Sequence, residues 1–141
     1  YIIFDLPGFS ALQQFYLNSN GLSAHSVETF DPSKPGIVCV SDYESLEKLI
    51  TNTTVGRSAA LIATWSLSET PTVFRESILS LTSNFDAFLI SSQSHYKEVD
   101  NIDFFERWRS TQSDIDWNTW RIAHLGNNFY LMGKRRAALA G

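Results

Sequence analysis

Tyr1-Ile2-Ile3-Phe4-Asp5-Leu6-Pro7 opens the chain with a short apolar run that halts at a carboxylate and a proline. The run is continuous, not alternating, as expected of a strand covered on both faces in a parallel sheet. Three later runs have the same form: Ile37 to Val40, Ala59 to Ala63, and Ala87 to Ile90. The first enters at full strength and without an initiator methionine. The expectation is therefore that upstream sequence is missing and that residues 1–141 are one partial domain, the later part of a larger one.

Between the runs the apolar spacing turns helical. Phe9, Leu12 and Tyr16 fall at i, i+3 and i+7, with Gly21 beyond them as a stop. Tyr43, Leu46 and Ile50 repeat that spacing behind Asp42, a good N-cap residue. Phe74, Ile78 and Leu81 follow Thr70-Pro71, which reads as a cap with proline in the first helical position. Phe104, Phe105 and Trp108 predict a further short helix after Asn101. Strand alternating with helix gives the α/β class with right-handed crossovers. Trp117 to His124 and Phe129 to Lys134 then read as two strands around the turn-rich Leu125-Gly126-Asn127-Asn128, an antiparallel hairpin closing a mostly parallel sheet. Residues 31–36 and the segment Val99 to Ile102 read as loops. Residues 135–141 read as a frayed helix or disordered tail, or as a remnant foreign to the natural chain.

Composition narrows the field. The 141 residues are 43% apolar and 18% charged, the balance of a folded globular domain. Eleven basic against fifteen acidic side chains leave a net charge of −4, so no basic field is present to hold nucleic acid. No apolar run is long enough to span a membrane as a helix. Cys39 is the single cysteine, which excludes an internal disulfide and a multi-cysteine metal site. Without a visible signal peptide, the expected location is cytoplasmic.

Ligands of open parallel sheets bind beyond the carboxyl ends of the strands. Each run here delivers polar groups at that end: Asp5, then Ser41-Asp42, then Thr64-Trp65-Ser66, then Ser91-Ser92-Gln93. Polar residues also end strands for structural reasons, so the four sets count together more than singly. Asp5 is the sharpest: a carboxylate ending a strand before a helix can accept both hydroxyl hydrogens of a ribose, or it can cap the helix. The glycines are scattered, and no glycine-rich phosphate loop appears.

Tyr1-Ile-Ile-Phe-Asp-Leu-Pro7, the aromatic-rich Gln13-Gln14-Phe15-Tyr16-Leu17, and Leu61-Ile-Ala-Thr-Trp-Ser-Leu-Ser-Glu-Thr-Pro71 together resemble S-adenosylmethionine-dependent O-methyltransferases, in particular the sugar O-methyltransferase family. The resemblance runs from residue 1 to about residue 134. It implies a Rossmann-like methyltransferase sheet, mostly parallel with a C-terminal antiparallel hairpin, lacking its first βα unit. It also implies S-adenosylmethionine as cofactor and a small-molecule acceptor, a sugar or another hydroxyl compound. By the same resemblance Asp5 takes the cofactor ribose, Ser41 and Asp42 lie near the adenine edge, and Trp65 and Ser66 stand beside the methyl donor. Glu69 occupies the family's acidic position after that strand. The reading requires the opening run to be an inner strand of a buried sheet.

A hydroxyl is a poor nucleophile when neutral, so a general base is expected. His95, in the polar segment after the fourth run, is placed ahead of Glu69, which can instead cap the helix at Pro71. His124 reads as structural, and His25 has no clear role. Metal binding has no footing: no His-x-x-x-His pair occurs, and Asp114-Ile115-Asp116 lacks further ligands at calcium-loop spacing. Those two aspartates, with Asp100 and Asp103, read as solvated loop or cap residues. Phe104, Phe105, Trp108, Trp117 and Trp120 read mainly as core, with stacking on a sugar ring as the alternative for one or two. Rival functions are a non-catalytic α/β interaction module and a fragment of a nicotinamide-dependent oxidoreductase. Sequence gives no oligomeric state.

Overall fold

Residues 1–137 are described by a computed structural model, and they alternate strand and helix in two separate units, Tyr1–Arg57 and Ser58 onward.

The first unit runs β1 (Ile2–Phe4), α1 (Pro7–Ser19), β2 (Ala24–His25), β3 (Ile37–Val40) and α2 (Tyr43–Thr54). Its sheet is parallel in the order β1-β3-β2, with Phe4 opposite Val40 and Ala24 opposite Ile37. Val38, Cys39 and Val40 of the central strand are buried. Helix α2 matches its sequence reading. Asp42 caps it by accepting from the Ser45 N–H at 2.8 Å, and Leu46 and Ile50 form its buried face. Helix α1 ends as expected near Gly21. The Gly21 N–H donates to the Asn18 carbonyl and the Leu22 N–H to the Leu17 carbonyl, both at 3.0 Å, with Gly21 at φ +78°. That left-handed position is the place where glycine is least strained.

The face that α1 buries is not its apolar stripe. Phe9, Leu12 and Tyr16, the apolar stripe whose spacing predicts the helix, are 57%, 48% and 59% exposed, whereas Ser10 is buried. Polar side chains set the rotation of this helix. Gln13 donates to Asp5, and Asn18 bonds both the N–H and the carbonyl of Ala24. These bonds turn the Ser10, Gln13 and Leu17 side toward β2 and β3 and leave the aromatics outside.

The second unit runs β4 (Ala60–Thr64), a 3-10 turn (Leu67–Glu69), α3 (Thr72–Leu79), a second 3-10 turn (Ser80–Asn84), β5 (Ala87–Gln93), β6 (His95–Tyr96), β7 (Val99–Asp100), α4 (Asn101–Ser110), β8 (Ile115–Arg121) and β9 (Asn128–Arg135). Its main sheet has the order β4-β5-β9-β8. β4 and β5 are parallel, while β9 is antiparallel to both β5 and β8. The C-terminal hairpin is therefore present, and it enters the sheet through its second strand. Phe85, Phe88, Phe105, Trp108 and Trp117 pack edge-on or tilted, with ring centroids 5.1–6.5 Å apart. Trp117 faces Gly133 across the hairpin, and a Cβ there would lie 2.4 Å from the indole. Trp120 is 47% exposed and outside that core.

Several expectations change. Among the described residues the four apolar runs do not share one sheet: β1 pairs only with β3, and β4 only with β5. Neither β1 nor β4 is thus an inner strand among the described residues, and Ile62 on β4 is 68% exposed instead of covered. Helix α3 begins at Thr72 with no side-chain cap, because the Thr70 hydroxyl turns back to the Leu67 carbonyl at 2.8 Å. Leu81 belongs to the following 3-10 turn. The segment Val99 to Ile102 is not a loop. It supplies β7 and the start of α4, which Asp100 caps by accepting from the Asp103 N–H at 3.0 Å. Arg135 is no part of a tail: it closes β9, donates to the Phe85 and Thr82 carbonyls and pairs with Asp114, as Arg136 does with Asp116. Asp114 and Asp116 are exposed, as expected of solvated residues, but each pairs with an arginine, and Asp116 lies in β8 and not in a loop. Residues 138–141 of the proposed tail lie outside the described residues. Among the described residues no helix is long and apolar enough to cross a membrane, and no cluster of His, Cys, Asp or Glu suits a metal ion.

Candidate functional site

The polar strand ends come in register two by two. In the first unit the Asp5 N–H donates to the Val40 carbonyl at 3.1 Å, so Asp5 stands beside Ser41 at the carboxyl ends of β1 and β3. Asp5 Oδ1 accepts from the Leu6 N–H at 2.8 Å and Oδ2 from Gln13 Nε2 at 2.9 Å. A carboxylate has about four lone-pair sites, so each oxygen keeps room for a second donor. Gln13 Oε1 is buried with no protein partner. An orphan acceptor beside a half-satisfied carboxylate suits a ligand that donates, as a ribose diol does. Asp42 is committed to capping α2, and the Ser45 amide holds its carboxyl below the ordinary value. Its side chain is exposed, and Ser41 is half-buried.

In the second unit Thr64 lies opposite Ser91, and β4 turns sharply at Trp65. Trp65 has φ 60°, an outlier for a bulky residue, and three bonds impose it. Its N–H donates to the Ser91 carbonyl at 2.9 Å, and its indole N–H to Asn128 Oδ1 at 2.7 Å. Its carbonyl accepts from the Ser68 hydroxyl at 2.8 Å. Ser66 follows in the open, and its carbonyl accepts from the Glu69 N–H at 3.4 Å, forming the 3-10 turn. Ser91 Oγ is fully buried with no protein partner, a second orphan at the strand ends.

Beneath this turn lies a fully buried guanidinium. Arg75 of α3 donates through Nε to the Thr70 carbonyl at 2.8 Å, through Nη2 to the Ser68 carbonyl at 2.5 Å, and through Nη1 to Asn101 Oδ1 at 2.6 Å. Its carbon lies 5.3 Å from the Phe104 ring centre. Among the described residues no carboxylate pairs with it; burial alone lowers its pKa, and it remains charged. Asn101, also fully buried, donates to the Gln93 carbonyl at 3.0 Å. The Gln93 amide accepts from the Ser68 hydroxyl at 3.1 Å and donates to Glu69 Oε1 at 3.3 Å. The exposed carboxylate of Glu69 is thus the outer end of a buried network.

His95 stands on different ground. It lies after β5, as expected, but on the two-stranded β6–β7 hairpin with its side chain 62% exposed. Its Nδ1 is 3.2 Å from Ser94 Oγ and its Nε2 3.4 Å from Asp100 Oδ2. Glu69 and His95 both reach the end of β5, Glu69 through Gln93 and His95 through the chain itself. His25 bonds Ser23 and packs near Phe30, and His124 is exposed beyond β8. Ser68, Asn101 and Asn128 entered the sequence reading only as motif, helix-boundary and turn residues, and Arg75 did not enter it. A signal for Arg75 existed: it precedes buried Ile78 and Leu79 by three and four residues, on one helical face.

Compared with known protein families, curated proteins and solved structures, the chain matches none.

Proposed function

We propose that the chain is part of an S-adenosylmethionine-dependent O-methyltransferase that acts on a hydroxyl of a sugar or similar small molecule. The observation carrying this reading is the order β4-β5-β9-β8, with an antiparallel strand set between two strands that run the same way. A Rossmann-like methyltransferase sheet closes in this manner, whereas the all-parallel dinucleotide sheet of nicotinamide enzymes does not. Fold alone does not fix function, so the polar strand ends must agree. The orphan acceptor beside Asp5 and the braced turn from Trp65 to Glu69 support that. The proposed sheet would also include a first βα unit outside these residues.

In the first unit Asp5 would accept the ribose hydroxyls, and Ser41 and Asp42 would border the adenine. In the second, Trp65 and Ser66 would border the methyl donor. Bound S-adenosylmethionine would supply a methyl carbon whose bond to sulfur breaks, the electron pair staying on sulfur, as the acceptor oxygen takes the carbon. The chain's own task is to orient the hydroxyl and remove its proton. Glu69, braced from below, is the better placed base; His95, with Asp100 and Ser94 about it, is the other candidate.

Calorimetric titration of the natural full-length polypeptide with S-adenosylmethionine is the test. Binding heat is expected, with affinity at least about tenfold weaker in Asp5→Ala, the loss of a charge-assisted pair of hydrogen bonds. Absence of heat, or binding indifferent to Asp5→Ala, overturns the reading. A non-catalytic interaction module is favoured by a different observation, the exposure of Phe9, Leu12, Phe15 and Tyr16 on α1.

A further inference from the structure

We propose that Arg75 is a positioning residue for Glu69, holding the turn that presents this carboxylate to the acceptor hydroxyl. The inference rests on the methyl-transfer reading above. Three facts converge on it. Arg75 is fully buried, yet its hydrogen-bond partners are neutral oxygens. Two of these are the carbonyls of Ser68 and Thr70, the residues on either side of Glu69. The third partner, Asn101, secures the Gln93 backbone, and the Gln93 amide bonds the Glu69 carboxylate.

Elementary energetics make this arrangement unusual. A buried charge is costly, and a structural guanidinium is normally matched by a carboxylate. Here the planar fork grips two carbonyls that converge from a single turn, a geometry the compact ammonium of lysine does not reproduce. The turn itself is weak: the Glu69 and Thr70 N–H groups bond at 3.4 Å, and the segment starts from a left-handed Trp65. The Ser68 and Thr70 hydroxyls and the Gln93 amide also bond within this turn, but the fork alone grips the backbone on both sides of Glu69. Glu69 is exposed, so the bracing serves a group facing solvent. In the reaction the acceptor oxygen bonds the methyl carbon, the carbon–sulfur bond breaks toward sulfur, and the hydroxyl proton passes to the Glu69 carboxylate. A misdirected carboxylate slows that step without changing cofactor binding.

Arg75→Lys in the natural full-length polypeptide is the test, with two readouts. In hydrogen exchange, the amides of Glu69 and Thr70 are expected to exchange about tenfold faster, with Ile62 and Leu89 unchanged, as for a local opening. In turnover, kcat is expected to fall about tenfold or more, with KM for the methyl donor within about twofold. In a Glu69→Gln background Arg75→Lys should then add nothing, since the two act as one unit. Faster exchange throughout the second unit, unchanged exchange at Glu69 and Thr70, or an undiminished effect in the Glu69→Gln background overturns the proposal. If Arg75→Lys does not fold, Gln93→Leu replaces it, removing the amide from Glu69 and leaving the guanidinium. Its kcat loss must likewise vanish in the Glu69→Gln background, or the proposal fails. Failure of the polypeptide to bind S-adenosylmethionine defeats the methyl-transfer reading instead, and the exchange result still decides whether Arg75 holds the turn.

Discussion

Both units end their parallel strands in polar residues of similar type, yet the two sets of strand ends are supported in opposite ways. At β1 and β3 the carboxylates of Asp5 and Asp42 receive local bonds from Leu6, Gln13 and Ser45. At β4 and β5 the exposed Glu69 is tied through Gln93 to Ser68, Asn101 and Arg75, all fully buried. The first arrangement is built from helix-end chemistry, and its removal is felt locally. The second is anchored on buried groups, so deleting its buried donor outright costs stability, whereas loosening the turn above it is a local opening. A strand that ends in polar residues announces a rim, and only packing decides how rigid the rim is.

The contrast can be broken most directly at Arg75. Arg75→Met takes the donor from two buried acceptors and from the part-buried Thr70 carbonyl, and urea unfolding followed by circular dichroism should report a loss on the order of 3–5 kcal/mol. A loss below about 1 kcal/mol would show that the second rim is no more integral than the first. Gly133→Ala comes next, because its methyl group must displace the Trp117 ring. About 1–3 kcal/mol should be lost in the same assay, with a change in tryptophan emission.

Asp42 tests the first rim and does so through pH. The Ser45 amide holds its carboxyl below the ordinary 3.8, so the cap is in place above that value and is lost as pH falls through the lowered one. Asp42→Ala should reduce Tm modestly near neutral pH, and the gap from wild type should close below about pH 4. A gap that stays constant down to pH 2 would remove the charged cap from the account. The smallest effect belongs to α1: Phe15→Gln, at a side chain 65% exposed, should alter unfolding stability by no more than about 0.5 kcal/mol. A larger loss would mean that this face is covered after all.

Local chemistry was the legible part of the sequence. The runs Ile2–Phe4 and Ile37–Val40 are strands with those same limits, and Asp42 caps α2, because each depends on neighbours in sequence. The hairpin of β8 and β9 follows from its turn residues in the same way. Pairing between distant strands was not legible, so one expected sheet proved to be two. The stripe of Phe9, Leu12 and Tyr16 misled because hydrogen bonds from Gln13 and Asn18, not hydrophobicity, orient that helix. Arg75 was hidden by its type, since an arginine on a helix ordinarily reads as solvated. Its position one turn before Ile78 and Leu79 was the available clue. The acidic Glu69 was visible from the start, but the network that distinguishes it from His95 spans residues 68 to 101 and exists only in three dimensions.

β4 carries a practical lesson. Among the described residues it offers one unpaired side and an outward isoleucine at Ile62, the combination that lets strands of separate molecules zip together. Solutions of the chain at high concentration should therefore cloud through this segment, and Ile62→Lys is the change that keeps the molecules apart.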